Sequence, residues 1–102
     1  MDDELELAND TTRNRYRLLL ADEEVGFMDY DPVGPDSILI KHTEVATQHE
    51  GKGYGSQLVR RMLDDVRSRN KTVIPICPYA LAFIRRHPEY LDLVREDMRS
   101  RL

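Results

Sequence analysis

The chain has 102 residues, 40% of them hydrophobic and 33% charged, with 19 acids against 15 bases and a net charge of −4. This supports one core and not two, so a single domain over residues 1–102 is expected. No apolar run approaches the roughly 20 residues of a membrane helix, the acidic opening Met1-Asp2-Asp3-Glu4 is unlike a secretory leader, and one cysteine, Cys77, excludes an internal disulfide. These features predict a cytoplasmic protein with no membrane span, and the acidic balance argues against a general nucleic-acid binder.

Taken in chain order, Leu5 and Leu7 alternate with Glu4 and Glu6, which predicts a first strand. Asn9-Asp10-Thr11-Thr12 reads as a turn. Tyr16, Leu18 and Leu20 mark a second strand, and Asp22-Glu23 a hairpin tip. Val25, Phe27 and Asp29, alternating with Gly26, Met28 and Tyr30, mark a third. Asp31-Pro32-Val33-Gly34-Pro35-Asp36 is loop punctuation, and Ser37 to Val45 is a fourth strand. A meander of antiparallel strands therefore fills the first half.

The period then changes. Leu58, Val59, Met62, Leu63 and Val66 lie at helical spacing, which predicts a helix from about Gly55 to Arg69 with Asn70 as a left-handed cap. Thr72-Val73-Ile74-Pro75-Ile76 is a short apolar strand. A strand, one helix and a strand imply a parallel pair, and Pro75 predicts that the pairing fails near that end. A second helix is expected from Tyr79 to Arg86, with Leu81, Phe83 and Ile84 available for the core and Pro88 interrupting it. Leu91, Leu93 and Val94 suggest a short terminal helix. The fold class is α+β: a mixed, mainly antiparallel sheet with one parallel strand pair and helices packed on it.

Charge and glycine content single out the middle of the chain. Residues 1–45 carry a net −8, whereas residues 46–75 carry +3. Within that basic segment lies Gln48-His49-Glu50-Gly51-Lys52-Gly53-Tyr54-Gly55-Ser56, directly before the long helix. Glycines at alternate positions let successive N–H groups turn inward as an anion nest, and the helix start adds its dipole. A glycine-rich reversal of the chain is the plainer reading. The loop fits neither the mononucleotide pattern Gly-x-x-x-x-Gly-Lys nor the dinucleotide pattern Gly-x-Gly-x-x-Gly.

Gln48-His49-Glu50-Gly51-Lys52-Gly53 does match the (Gln/Arg)-x-x-Gly-x-(Gly/Ala) pyrophosphate loop of the GNAT N-acetyltransferase superfamily. With His42-Thr43-Glu44-Val45 before it, and Cys77-Pro78-Tyr79-Ala80 and Phe83-Ile84-Arg85-Arg86-His87-Pro88-Glu89-Tyr90 after it, the chain resembles the small single-domain GNAT-like proteins over roughly residues 5 to 94. The resemblance implies a GNAT-like fold whose two parallel strands splay apart, acetyl-CoA as cofactor, and transfer of an acetyl group to an amine acceptor. It implies pantetheine contacts by the backbone at Val45. It implies a pyrophosphate held by Gln48 and by N–H groups from Gly51, Lys52, Gly53, Tyr54, Gly55 and Ser56, with Lys52, joined by Arg85 or Arg86, near phosphate charge and Tyr79 beside the cofactor.

Acetyl transfer also needs a base, a stabilised oxyanion and a proton for the leaving thiolate. The resemblance places Cys77 in the catalytic group, either carrying the acetyl as a transient thioester or protonating the leaving sulfur; as a residue alone it reads as a small buried hydrophobe. His42 and Glu44 share one strand face and are the candidate bases, His42 otherwise being a half-buried, hydrogen-bonded histidine and Glu44 a solvated strand end. His49 reads as a surface residue and His87 as a helix terminator. No metal-ligand spacing is present. Two departures from larger relatives are visible. Arg86 stands where their last helix carries an acid tyrosine, and no helical pair separates the first two strands, the region that builds their acceptor pocket. A CoA or acyl-CoA-binding module without turnover is therefore the alternative function. The charged strand edges suggest a monomer or weak homodimer.

Overall fold

The computed structural model describes residues 4–102, for Arg101 the backbone alone, and the acidic residues 1–3 lie outside the described residues. Five strands form one sheet in sequence order: β1 (Leu5–Asp10), β2 (Arg15–Leu20), β3 (Glu23–Val33), β4 (Ser37–Val45) and β5 (Thr72–Pro75). The first three pairings are antiparallel and β4–β5 is parallel. The helices are α1 (Tyr54–Ser68) and α2 (Pro78–Arg86). Short 3₁₀ turns cover Thr47–His49, Pro88–Leu93 and Glu96–Arg101.

The strands run further than turn composition suggests. Asn9 and Asp10 close β1, and Asp31, Pro32 and Val33 close β3, so the two turns shrink to Thr11–Asn14 and Gly34–Asp36. Pro32 costs β3 no ladder bond. The Tyr30 N–H bonds the Asn14 carbonyl on the β2 side. Two residues on, Pro32 faces the same way, past the start of β2, where no ladder bond is required. Likewise Ile76 lies outside β5, and Leu91, Leu93 and Val94 form a 3₁₀ turn and a single bridge to Val73 in place of a terminal α-helix. Pro75 is the last residue of β5, and Pro88 opens the 3₁₀ turn that follows α2.

One sheet face packs on α1. Leu58, Val59, Met62, Leu63 and Val66 are all buried, as their spacing predicts, against Leu18, Met28 and Ile40. Each such side chain removed from water contributes about 1.5–3 kcal/mol before entropy is charged. From α2, Ala80, Phe83 and Ile84 join this core, while Leu81 stays half-buried beside Pro75, Ile76, Met98 and Leu102. The α1 terminus follows its sequence signal: Asn70 has φ 58° and the Lys71 N–H returns to the Val66 carbonyl.

The other sheet face is charged. Arg15 pairs with Asp29 at 2.7 Å, Arg17 with Glu24 at 2.5 Å, and Lys41 with Asp31 at 3.3 Å. The Arg15 guanidinium also lies 3.9 Å from the centre of the Phe27 ring. Among the described residues no helix is long and apolar enough to cross a membrane.

Candidate active site

The glycine loop connects β4 to α1. Gly51 and Gly53 have φ of 82° and 80°, left-handed values that glycine adopts without cost, and a Cβ at either would meet nothing within 4 Å. Their conformation therefore turns the loop with open space beside it and is not imposed by crowding. Gly53 is the N-cap of α1, with no side-chain capping bond and no acid in the first turn. The first helical bond runs from the Gln57 N–H to the Gly53 carbonyl. Among the described residues, none of the N–H groups from Gly51 to Ser56 has a hydrogen-bond partner. A row of free donors at a helix start is what a diphosphate requires. Lys52, exposed beside them, adds a positive charge.

The adjoining strand edge is also free. The last β4–β5 pair is Ile40 with Pro75, and one further bond joins the Cys77 N–H to the Ile40 carbonyl. Beyond this the two chains part: β4 runs on to Val45 while the other chain turns into α2. The Ala46 N–H bonds the Val25 carbonyl, so Ala46 faces β3. By alternation Val45 and Thr43 turn their N–H and carbonyl groups toward the gap. An extended amide-bearing chain can pair there as an extra strand.

A bulge in β4 sorts the candidate catalytic side chains. The register slips between Asp29 and Tyr30, leaving Lys41 as the extra residue. After it, Thr43, paired with buried Met28, shares the α1 face, whereas His42 and Glu44 sit on the charged face. His42 and Glu44 do share a face, with Nε2 and Oε2 3.3 Å apart. However, His42 is not half-buried: its side chain is 59% exposed. Cys77 is on the opposite side, 3% exposed, and its thiol donates to the Thr43 hydroxyl at 3.4 Å. It is also the N-cap of α2, with no side-chain capping bond. Thr43 is the partner that sequence reasoning missed.

His49 corrects another expectation. Its side chain is only 11% exposed, its Nε2 lies 2.9 Å from the Glu23 carboxylate, and its ring packs edge-on to Tyr54. It ties the loop to the β2–β3 hairpin. Hydrogen bonding from His49 holds the Glu23 carboxyl below its ordinary range, with a smaller contribution from Gln48. Tyr79 reaches the loop directly: a Cβ on Gly55 would clash with its hydroxyl. Gly55 is thus glycine because a tyrosine lies across the first turn of α1. Arg85 and Arg86 lie in the last turn of α2, where their Nε groups donate to the carbonyls of Leu102 and Ala82. His87 ends α2, stacked on Phe83 with ring centres 4.1 Å apart. Among the described residues no three His, Cys, Asp or Glu side chains converge as a metal site.

Comparison with known proteins fits this geometry. The profile of a family described as GCN5-related N-acetyl-transferase matches residues 15–93. Among solved structures, a GCN5-like protein from Staphylococcus aureus is similar, with a TM-score of 0.68, 22% identity, and 91% of this chain and 90% of that one covered. The ribosomal-protein-S18-alanine N-acetyltransferase from Escherichia coli has a TM-score of 0.59 at 13% identity, covering 84% of this chain and 53% of its own. The N-acetylglutamate synthase from Neisseria gonorrhoeae, solved with coenzyme A and N-acetyl-glutamate, has 0.57 at 18%, covering 85% and 22%. Curated protein sequences give no match.

Proposed function

The chain belongs to the GCN5-related N-acetyltransferase family, and from that premise we propose that it takes up acetyl-CoA at the glycine loop and the β4–β5 gap and passes the acetyl group to an amine. The observation that carries this reading is the unpartnered run of N–H groups from Gly51 to Ser56 at the start of α1. The residues fit the group: the backbone is open at Gly51 and Gly53, the first helical turn is free of acids, and Lys52 stands beside it. When bound, acetyl-CoA supplies an activated thioester carbonyl.

The chain's own residues do the rest. Gly51–Ser56 and Gln48 hold the diphosphate, and Tyr79 closes over the first turn of α1. Val45 and Thr43 present backbone groups that fix the pantetheine arm in the gap. An amine approaching from the charged face meets Glu44 and His42, either of which can take its proton, directly or through a water. In a direct transfer the C–N bond would form as the thioester C–S bond breaks, and the departing sulfur would need one proton. Cys77 would give that proton, or its sulfur would first take the acetyl as a thioester and lose its own proton to the departing CoA sulfur, with the Thr43 hydroxyl orienting it.

Intact-mass measurement after incubation with acetyl-CoA tests the reading. A stable gain of one acetyl group that disappears in Cys77→Ala supports the acetyl-thiol route. Acceptor-dependent release of free thiol without that gain supports direct transfer. Saturable acetyl-CoA binding with no acetylation of any of a broad amine panel would leave a CoA-binding module, and no binding at all would end the proposal.

A further inference from the structure

At the other end of α1 lies a cleft of about 200 Å³ that the acetyl-transfer reading does not use. It opens between the C-terminal turn of the helix and the ends of β1, β2 and β3. The 15 residues of α1, at about 1.5 Å each, put it roughly 20 Å from the glycine loop. Its floor is apolar and aromatic: Ile38, Val66, Pro32, and the rings of Tyr16 and Tyr30 with centres 5.2 Å apart. Both phenol groups are already committed, Tyr16 donating to Asp65 at 2.7 Å and Tyr30 to Asn9 at 2.7 Å, so the rings are fixed as walls.

The rim is rich in donors. Thr11, Asn14, Arg69 and Lys71 line it, and no acid does, in a chain of net charge −4. Arg69 is compensated through its Nε bond to Asp65 at 3.0 Å. Lys71 is not: it is half-buried, and among the described residues its ammonium has no hydrogen bond or ion pair. A partly desolvated cation above an apolar floor attracts an anion more strongly than it would in open water. The volume is below the about 300 Å³ at which drug-sized pockets begin, which limits a ligand to roughly one ring.

We propose that this cleft is a second small-molecule site, separate from the acetyl-transfer site, for a monoanion with a flat apolar body, the chemistry of an aromatic carboxylate. The ring would lie against Tyr16, Tyr30 and Val66, with the carboxylate facing Lys71 and the Asn14 amide. The inference does not depend on acetyl-CoA binding.

Titration of the ¹⁵N-labelled full chain tests it, with benzoate, benzyl alcohol, benzylamine and inorganic phosphate as probes. Benzoate should give saturable shifts at Asn9, Thr11, Asn14 and Lys71 and leave Gly51–Ser56 unmoved; the other three should bind at least about tenfold more weakly. Lys71→Gln, and separately Arg69→Gln, should keep the dispersed spectrum, and Lys71→Gln should weaken benzoate about tenfold or more. The proposal is overturned if benzoate does not saturate, if the alcohol or amine binds equally well, if inorganic phosphate alone reproduces the shifts, if the shifts fall on the glycine loop, or if Lys71→Gln has no effect.

Discussion

Ala21 and Asp22 link β2 to β3 with φ of 49° and 72°, a two-residue turn with both residues left-handed. That geometry suits the twist of a hairpin but favours Asn-Gly, and alanine there carries a strain of about 1–2 kcal/mol. Ala21→Asn combined with Asp22→Gly should therefore raise the melting midpoint by several degrees in calorimetry; an unchanged or lower midpoint would refute the strain assignment. Gly55 is constrained differently, by its neighbour and not by φ. Gly55→Ala must displace the Tyr79 ring, so it should cost about 1 kcal/mol and loosen acetyl-CoA binding. In a double-mutant cycle with Tyr79→Ala the two changes should be strongly non-additive, with a coupling of about 0.5–3 kcal/mol. Additivity would mean that the tyrosine does not press on the helix. Neither site announces itself in the sequence: a glycine inside an alternating Gly pattern looks like loop chemistry, and its real partner is 24 positions away.

At the scale of elements, the loop and helix α1 act as one unit. Gly53→Glu adds bulk and negative charge among free donors, so it should abolish acetyl-CoA binding in calorimetric titration. Gly53→Asn, which tolerates a left-handed φ, should retain measurable binding. Equal loss in both would mean that only glycine's backbone freedom matters there, and not the charge of the nest. This unit was largely legible beforehand, because helix period, glycine spacing and Pro75 each carry a local mark. The β4 bulge was not. Lys41 looks like any exposed strand residue, yet it decides that Thr43 meets Cys77 while His42 and Glu44 face away. Only the register with β3 reveals it. His49 was misread for the same kind of reason: its polar neighbours suggest a surface loop, and the carboxylate that covers it comes from Glu23, 26 positions earlier.

At the scale of the whole molecule, the buried tyrosines set the response to pH. Burial raises the pKa of Tyr16, Tyr30 and Tyr90, and hydrogen bonds to Asp65 and Asp64 raise Tyr16 and Tyr90 further. A folded pKa above the ordinary value of 10.0 means that stability is fully present below that value. It then drains as pH rises, because the unfolded chain ionises first. Melting midpoints should therefore hold level to about pH 9 and fall steeply above about pH 10; Tyr16→Phe should flatten that alkaline limb relative to its own neutral value. An identical limb in the variant would refute the assignment. On the acid side, bonding to Arg67 lowers Asp92, and bonding to His49 lowers Glu23. Their contribution is present above the ordinary carboxylate range and lost as pH falls. Both carboxylates are more than half exposed, so the acid limb should be shallow.

The turn Thr11–Asn14 is the entire connection between β1 and β2. Nothing is inserted there to wall in whatever approaches His42 and Glu44. On the proposed acetyl transfer, steric filtering of acceptors would be relinquished on that side, and long or bulky amines would be presented as readily as short ones. Discrimination then falls to the charges laid across the sheet, which makes it a property that added salt can erode.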